Sequence, residues 1–89
     1  MMSDRQFEIS EHAAEEADRR GIPRDVLDAV LQGPQQIVPE RLGRKAYQSQ
    51  VAFHDKVFLV RAIVDERIDP ARVVTVYRTS KLSKYWRAT

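Results

Sequence analysis

The chain reads as an α+β domain, with two N-terminal helices laid on one face of a three- to four-stranded antiparallel sheet. Three observations predict it. Residues 10–32 carry helix caps and an apolar stripe at helical spacing. Residues 44–79 are rich in Val, Ile, Thr and Tyr and alternate in polarity. Short breaker segments separate these pieces, an order that buries its apolar faces as two packed layers. At 89 residues the chain is expected to form one domain over 1–89, because a single core commonly serves about 50–200 residues.

Residues 1–6 are expected to fray, and Phe7 and Ile9 to form a short extended piece. Ser10 can cap a helix by accepting from an early backbone N–H. Glu11, Glu15 and Glu16 near the start of that helix, with Arg19 and Arg20 at its end, suit the macrodipole. Its apolar side (Ile9, Ala13, Ala14, Ala17) is small, so it can lie close to a neighbour. Gly21 ends it. Pro23 is placed at the first position of a second helix, where its missing donor costs nothing. Val26, Leu27, Val30 and Leu31 give that helix a buried stripe, and Gly33-Pro34 stops it. Gln35–Pro39 reads as a short edge strand, the setting that tolerates proline.

Residues 44–54 and 57–65 then form a hairpin about a two-residue turn at Asp55-Lys56. That turn aligns Phe53 with Phe58, Val51 with Val60, Ser49 with Ala62 and Tyr47 with Val64 on the helix side. The other side pairs Ala52 with Leu59, Gln50 with Arg61 and Gln48 with Ile63. After the breaker-rich Glu66–Ala71, a last strand Val73–Thr79 turns Val74 and Val76 toward the helices. Thr75 and Tyr77 fall on the face of Arg61.

Composition bounds the chemistry. Hydrophobic residues make up 43% and charged residues 31%, which suits a soluble globule. With no cysteine, disulfides, thiolate nucleophiles and cysteine zinc sites are excluded. No apolar run approaches the roughly 18 residues of a spanning helix, so a cytoplasmic protein with no membrane partner is expected. Residues 1–31 hold eight acids against four arginines, whereas the remainder holds eleven bases against five acids. Beyond Asp69 there is no acid. Such a basic end attracts polyanions.

The candidate residues follow from that asymmetry. Arg61 lies mid-strand among apolar neighbours, where its fork suits a phosphate. Its structural alternative is a hydrogen bond to Gln50 or Tyr77, or snorkelling to the surface. His12 offers an imidazole on the first helix, though a lone helical histidine commonly packs or caps. Arg78, Lys81, Lys84, Tyr85, Trp86 and Arg87 combine cations with rings, the pattern that holds single-stranded RNA. Alternatively, Tyr85 and Trp86 fold back to cover an exposed sheet edge, with the lysines solvated. No HExxH, GxSxG or glycine-rich phosphate loop is present, and neither a metal nor a cofactor is expected.

The segments FEISEHAAEEADRRGIP, LQGPQQIV, YQSQVAF, VFLVRAIVD and VVTVYRTSKLSKYWR run in that order over residues 7–87. Together they resemble the small bacterial family DUF4258, a domain of unknown function. His12, Arg20, Ile22, Pro34, Arg61, Val74–Tyr77 and Lys84–Trp86 carry the likeness. That family is similar to the RelE/ParE and BrnT toxins, so the resemblance implies a RelE-like fold. It also implies a metal-independent ribonuclease acting on mRNA, ribosome-bound in many such toxins, and held inactive by a cognate antitoxin. In that reading His12, or a lysine or tyrosine such as Tyr77, activates the ribose 2′-hydroxyl, and Arg61, Arg78 and Lys84 stabilise the phosphorane-like charge. The alternative is a non-catalytic RNA- or protein-binding module of the same fold.

Overall fold

A computed structural model of the chain describes residues 5–88. Its order is β1 (Phe7–Ile9), α1 (Glu11–Arg19), α2 (Arg24–Gln32), β2 (Gln36–Pro39), β3 (Lys45–Phe53), β4 (Lys56–Asp65), β5 (Ala71–Thr79) and α3 (Leu82–Tyr85), with a 3₁₀ turn at Arg41–Gly43 between β2 and β3. The mixed α+β class holds, but the sheet has five strands in the order β1-β5-β4-β3-β2. The expected three or four antiparallel strands are thus corrected in number and direction. β1 precedes the helices and runs parallel to β5, pairing Phe7 with Ala71 and Ile9 with Val73. Strands β2 to β5 form the antiparallel meander.

Local chemistry sets the two long helices. Ser10 caps α1, its hydroxyl accepting from the Ala13 amide at 3.0 Å. Gly21 leaves it at φ 66°, a conformation glycine adopts without penalty. Pro23 is the cap of α2 rather than its first residue. α1 packs against β5, and α2 against β4 and β3. Ala13, Ala17, Leu27, Val30 and Leu31 meet Tyr47, Val60, Ala62, Val64, Val73 and Val76 in the main core.

The β3–β4 turn falls one residue earlier than the sequence suggests. His54 (φ 49°) and Asp55 (φ 68°) occupy its two centres, as a type I′ turn requires. Histidine and aspartate tolerate the left-handed region better than most side chains. The register therefore becomes Phe53 with Lys56, Val51 with Phe58 and Gln48 with Arg61. A one-residue shift of the turn moves the partner by two, so every side chain keeps its face. A bulge between Ile63 and Val64 then takes up one extra residue of β5. Val73, not Val74, consequently joins the helix-side core with Val76. No helix among the described residues is long and apolar enough to cross a membrane.

Candidate nucleic-acid interface

Alternation along β4 places Leu59, Arg61 and Ile63 on the face away from α1 and α2. There the register aligns four polar side chains in a row across four strands: Tyr77, Arg61, Gln48 and Gln36. Arg61 is only 4% exposed, and burial of a guanidinium demands partners. Its Nε donates to Gln48 Oε1 at 2.7 Å, and its Nη1 donates to Tyr77 Oη at 2.6 Å and to Glu40 Oε2 at 3.3 Å. Nη2 makes no hydrogen bond among the described residues. The buried side-chain nitrogen without a partner among the described residues is Arg44 Nε.

The C-terminal segment docks onto this row. Gln48 Nε2 donates to Gln36 Oε1 at 2.8 Å and to the Tyr85 carbonyl at 3.2 Å. Gln36 in turn accepts from the Arg87 amide at 3.1 Å and donates to its carbonyl. These bonds hold the Tyr85 ring with its centroid 4.4 Å from the Arg61 guanidinium carbon, while Tyr77 lies at 5.8 Å. The two rings meet edge to face at 6.2 Å. Tyr85 does fold back, but onto the face of the sheet over Arg61 of the central strand rather than over an exposed edge. Trp86 is half-buried rather than a core residue.

The two phenols differ in acidity. Burial raises the Tyr77 pKa above the ordinary tyrosine value, against the opposing pull of Arg61. The neighbouring Lys84 ammonium lowers the Tyr85 pKa, aided by Tyr77 and Arg61. Beside them lies a cavity of about 460 Å³ lined by Glu40, Arg41, Leu42, Arg44, Ile63, Thr75 and Tyr77. Leu42 stands at its rim, 74% exposed and in the left-handed region at φ 61°.

The predicted site residues thus divide. Arg61, Tyr77, Lys84 and Tyr85 come together, with Arg87 anchored alongside through its backbone and Lys81 exposed at the start of α3. His12 does not join them. It is exposed on α1, whose Ala13 and Ala17 pack on the opposite side of the sheet. Arg78 also faces the helix side, since it pairs with Val60 and stacks on Phe53 and Phe58. Gln36, Glu40, Arg41 and Arg44 are not legible in the sequence as site residues, because each lies in or beside a short edge strand and its loop. The one signal there is the polar Gln36, four residues before an acid, on a strand otherwise apolar.

No curated protein and no solved structure matches the chain. Residues 9–78, from the end of β1 nearly to the end of β5 and including the Tyr77–Arg61–Gln48–Gln36 row, match the family described as Domain of unknown function (DUF4258), and the chain belongs to that family.

Proposed function

We propose that the protein is a RelE-like ribonuclease of the toxin type, cutting mRNA without a metal and held in check by a cognate antitoxin protein. The observation that carries this reading is the meeting of two phenols on one guanidinium: Tyr77 Oη accepts from Arg61 Nη1 at 2.6 Å, the Tyr85 ring lies 4.4 Å from the guanidinium carbon, and the two rings touch edge to face, with pKa values displaced in opposite directions. Opposed displacement suits one group to proton removal and the other to proton donation. The Tyr85 phenolate takes the proton of a ribose 2′-hydroxyl, the 2′ oxygen bonds to the adjacent phosphorus, and the bond from phosphorus to the 5′ oxygen breaks. Tyr77 donates its proton to the departing 5′ oxygen. The products are a 2′,3′-cyclic phosphate and a 5′-hydroxyl. Arg61, whose Nη2 has no partner among the described residues, and Lys84 stabilise the charge that builds on phosphorus. RNA lies along the adjoining groove between Arg41 and Arg44, with Lys81, Trp86 and Arg87 beyond Tyr85. Tyr85 takes the role of base that the resemblance offered to His12.

The test is cleavage of a labelled single-stranded RNA, free and on ribosomes, by the purified protein in the presence of a chelator. Tyr85→Phe and Tyr77→Phe are each expected to lower the rate by about 10²–10⁴, the usual contribution of a general acid or base. The pH profile should be bell-shaped. Its rising limb tracks ionisation of Tyr85, below the ordinary tyrosine value, and its falling limb tracks ionisation of Tyr77, above it. Tyr85→Phe removes the first limb and Tyr77→Phe the second. Expression should arrest growth until a neighbouring open reading frame is co-expressed. RNA left intact in every condition, with no growth arrest, would sink the nuclease reading. The burial of Arg61 against Glu40 favours one second reading, in which the same face binds RNA and cuts nothing. Unchanged RNA affinity alongside absent cleavage would select it.

A further inference from the structure

A separate cationic cleft lies on the helix side of the sheet. Its volume is about 580 Å³, and Arg19, Arg20, Gly21, Phe58, Arg78, Thr79 and Ser80 line it, with no carboxylate among them. Arg19 and Arg20 share a single partner, Glu16, whose pKa they hold down. The Arg78 side chain has no hydrogen bond or ion pair among the described residues, whereas seven of the eleven arginines pair with a carboxylate there.

Arg78 is nonetheless held in place. Its guanidinium carbon lies 4.5 Å from the Phe53 ring centroid and 4.7 Å from that of Phe58. Those rings meet edge to face at 5.7 Å. Stacking fixes the plane of the fork and leaves its in-plane N–H groups without acceptors. Gly21, at φ 66°, leaves one wall without a side chain, and a Cβ there would stand 3.7 Å from Arg78 Nη2. The last turn of α1 does not need the arginines to satisfy its carbonyls. The Arg20, Gly21 and Ile22 amides already reach Glu16, Asp18 and Ala17.

We infer that this cleft binds a phosphate group, with the Arg78 fork as its principal ligand and Arg19, Arg20 and Ser80 around it. A pre-oriented guanidinium with idle donors is the arrangement that recognises a tetrahedral oxyanion bidentately. The site is independent of the Tyr77–Tyr85 pair, which faces the other way. Phosphate can arrive free, on a mononucleotide or within an RNA backbone.

The experiment follows the arginine Nε–Hε signals of the full chain by NMR during titration. The titrants are inorganic phosphate, a 5′-mononucleotide and a short single-stranded RNA, each against sodium chloride at equal ionic strength. Saturable shifts of Arg78 beyond those in chloride are expected with at least one phosphate source, and the source that saturates first identifies the ligand. Arg78→Gln should abolish the effect, and Arg78→Lys should weaken binding about tenfold by keeping charge without the fork. Ser80→Glu changes only an exposed position and should block binding while the amide spectrum stays native, which covers the case of an Arg78 variant that does not fold. Shifts no larger than in chloride for all three titrants would overturn the site. So would undiminished binding by folded Arg78→Gln or by Ser80→Glu. RNA cleavage in the same samples reports separately on the opposite face.

Discussion

Arg61 is both a structural and a candidate functional residue, and its partners separate the two roles. Gln48 is fully buried and serves the Nε side, while Glu40 and Tyr77 serve Nη1 toward the groove. Replacing Gln48 with Leu leaves the guanidinium without its buried acceptor, so a loss of about 1–3 kcal/mol is expected in chemical denaturation. Glu40→Gln is different. It keeps an acceptor near Nη1 but removes the competing negative charge, so stability should change little while RNA affinity rises several-fold. Titration of a labelled RNA against both variants checks this. Weaker binding by Glu40→Gln would mean that the Arg61 charge does not face the ligand. Strand alternation in the sequence points correctly to Tyr77 as a partner of Arg61, and misses Gln48 by two positions in favour of Gln50. Glu40 is out of its reach, because only the folded 3₁₀ turn carries that side chain to β4.

At the scale of the elements, parity decides what can be read. The β3–β4 hairpin contains no glycine, so the pattern puts the turn on Asp55-Lys56, whereas the left-handed pair is His54-Asp55. Both placements leave Tyr47, Val51, Val60 and Ala62 on the helix side, and the polar row opposite them survives the correction. β5 shows the contrary case. One extra residue at its bulge exchanges Val74 for Val73 in the core, and no local pattern announces a bulge within VVTV. β1 is legible as an extended piece but not as a sheet strand, since three residues carry too little periodicity to reveal a parallel partner some 64 positions away. The turn makes a direct test. Asp55→Gly removes the steric cost of a left-handed aspartate, about 1 kcal/mol, and should raise Tm by about 4–8 °C for a domain of this size. A fall in Tm would place the turn elsewhere.

For the molecule as a whole, the sheet divides the cations between two surfaces. Arg61, Lys81, Lys84 and the groove arginines belong to the face away from the long helices, and Arg78 with Arg19 and Arg20 to the helix side. Charge counting finds the basic C-terminal half but cannot partition it, because adjacent residues such as Tyr77 and Arg78 point to opposite sides of one strand. The docking of the tail is equally hidden. Gln36 and Gln48 hold it through the backbone of Tyr85 and Arg87, which leaves no imprint on side-chain pattern. Gln36→Ala cuts that latch without altering any charge. If the latched tail is what presents Tyr85 and Lys84 to RNA, the variant should bind RNA several-fold more weakly and with a shallower salt dependence. For every phosphate of a single strand that the protein ceases to neutralise, the slope of log K against log salt falls by about 0.7. A change of one such unit between wild type and Gln36→Ala, together with faster amide exchange at Arg87, is the expected result. Faster exchange with an unchanged slope would instead assign RNA binding to residues 41–44, and the tail would then serve only to cover Arg61.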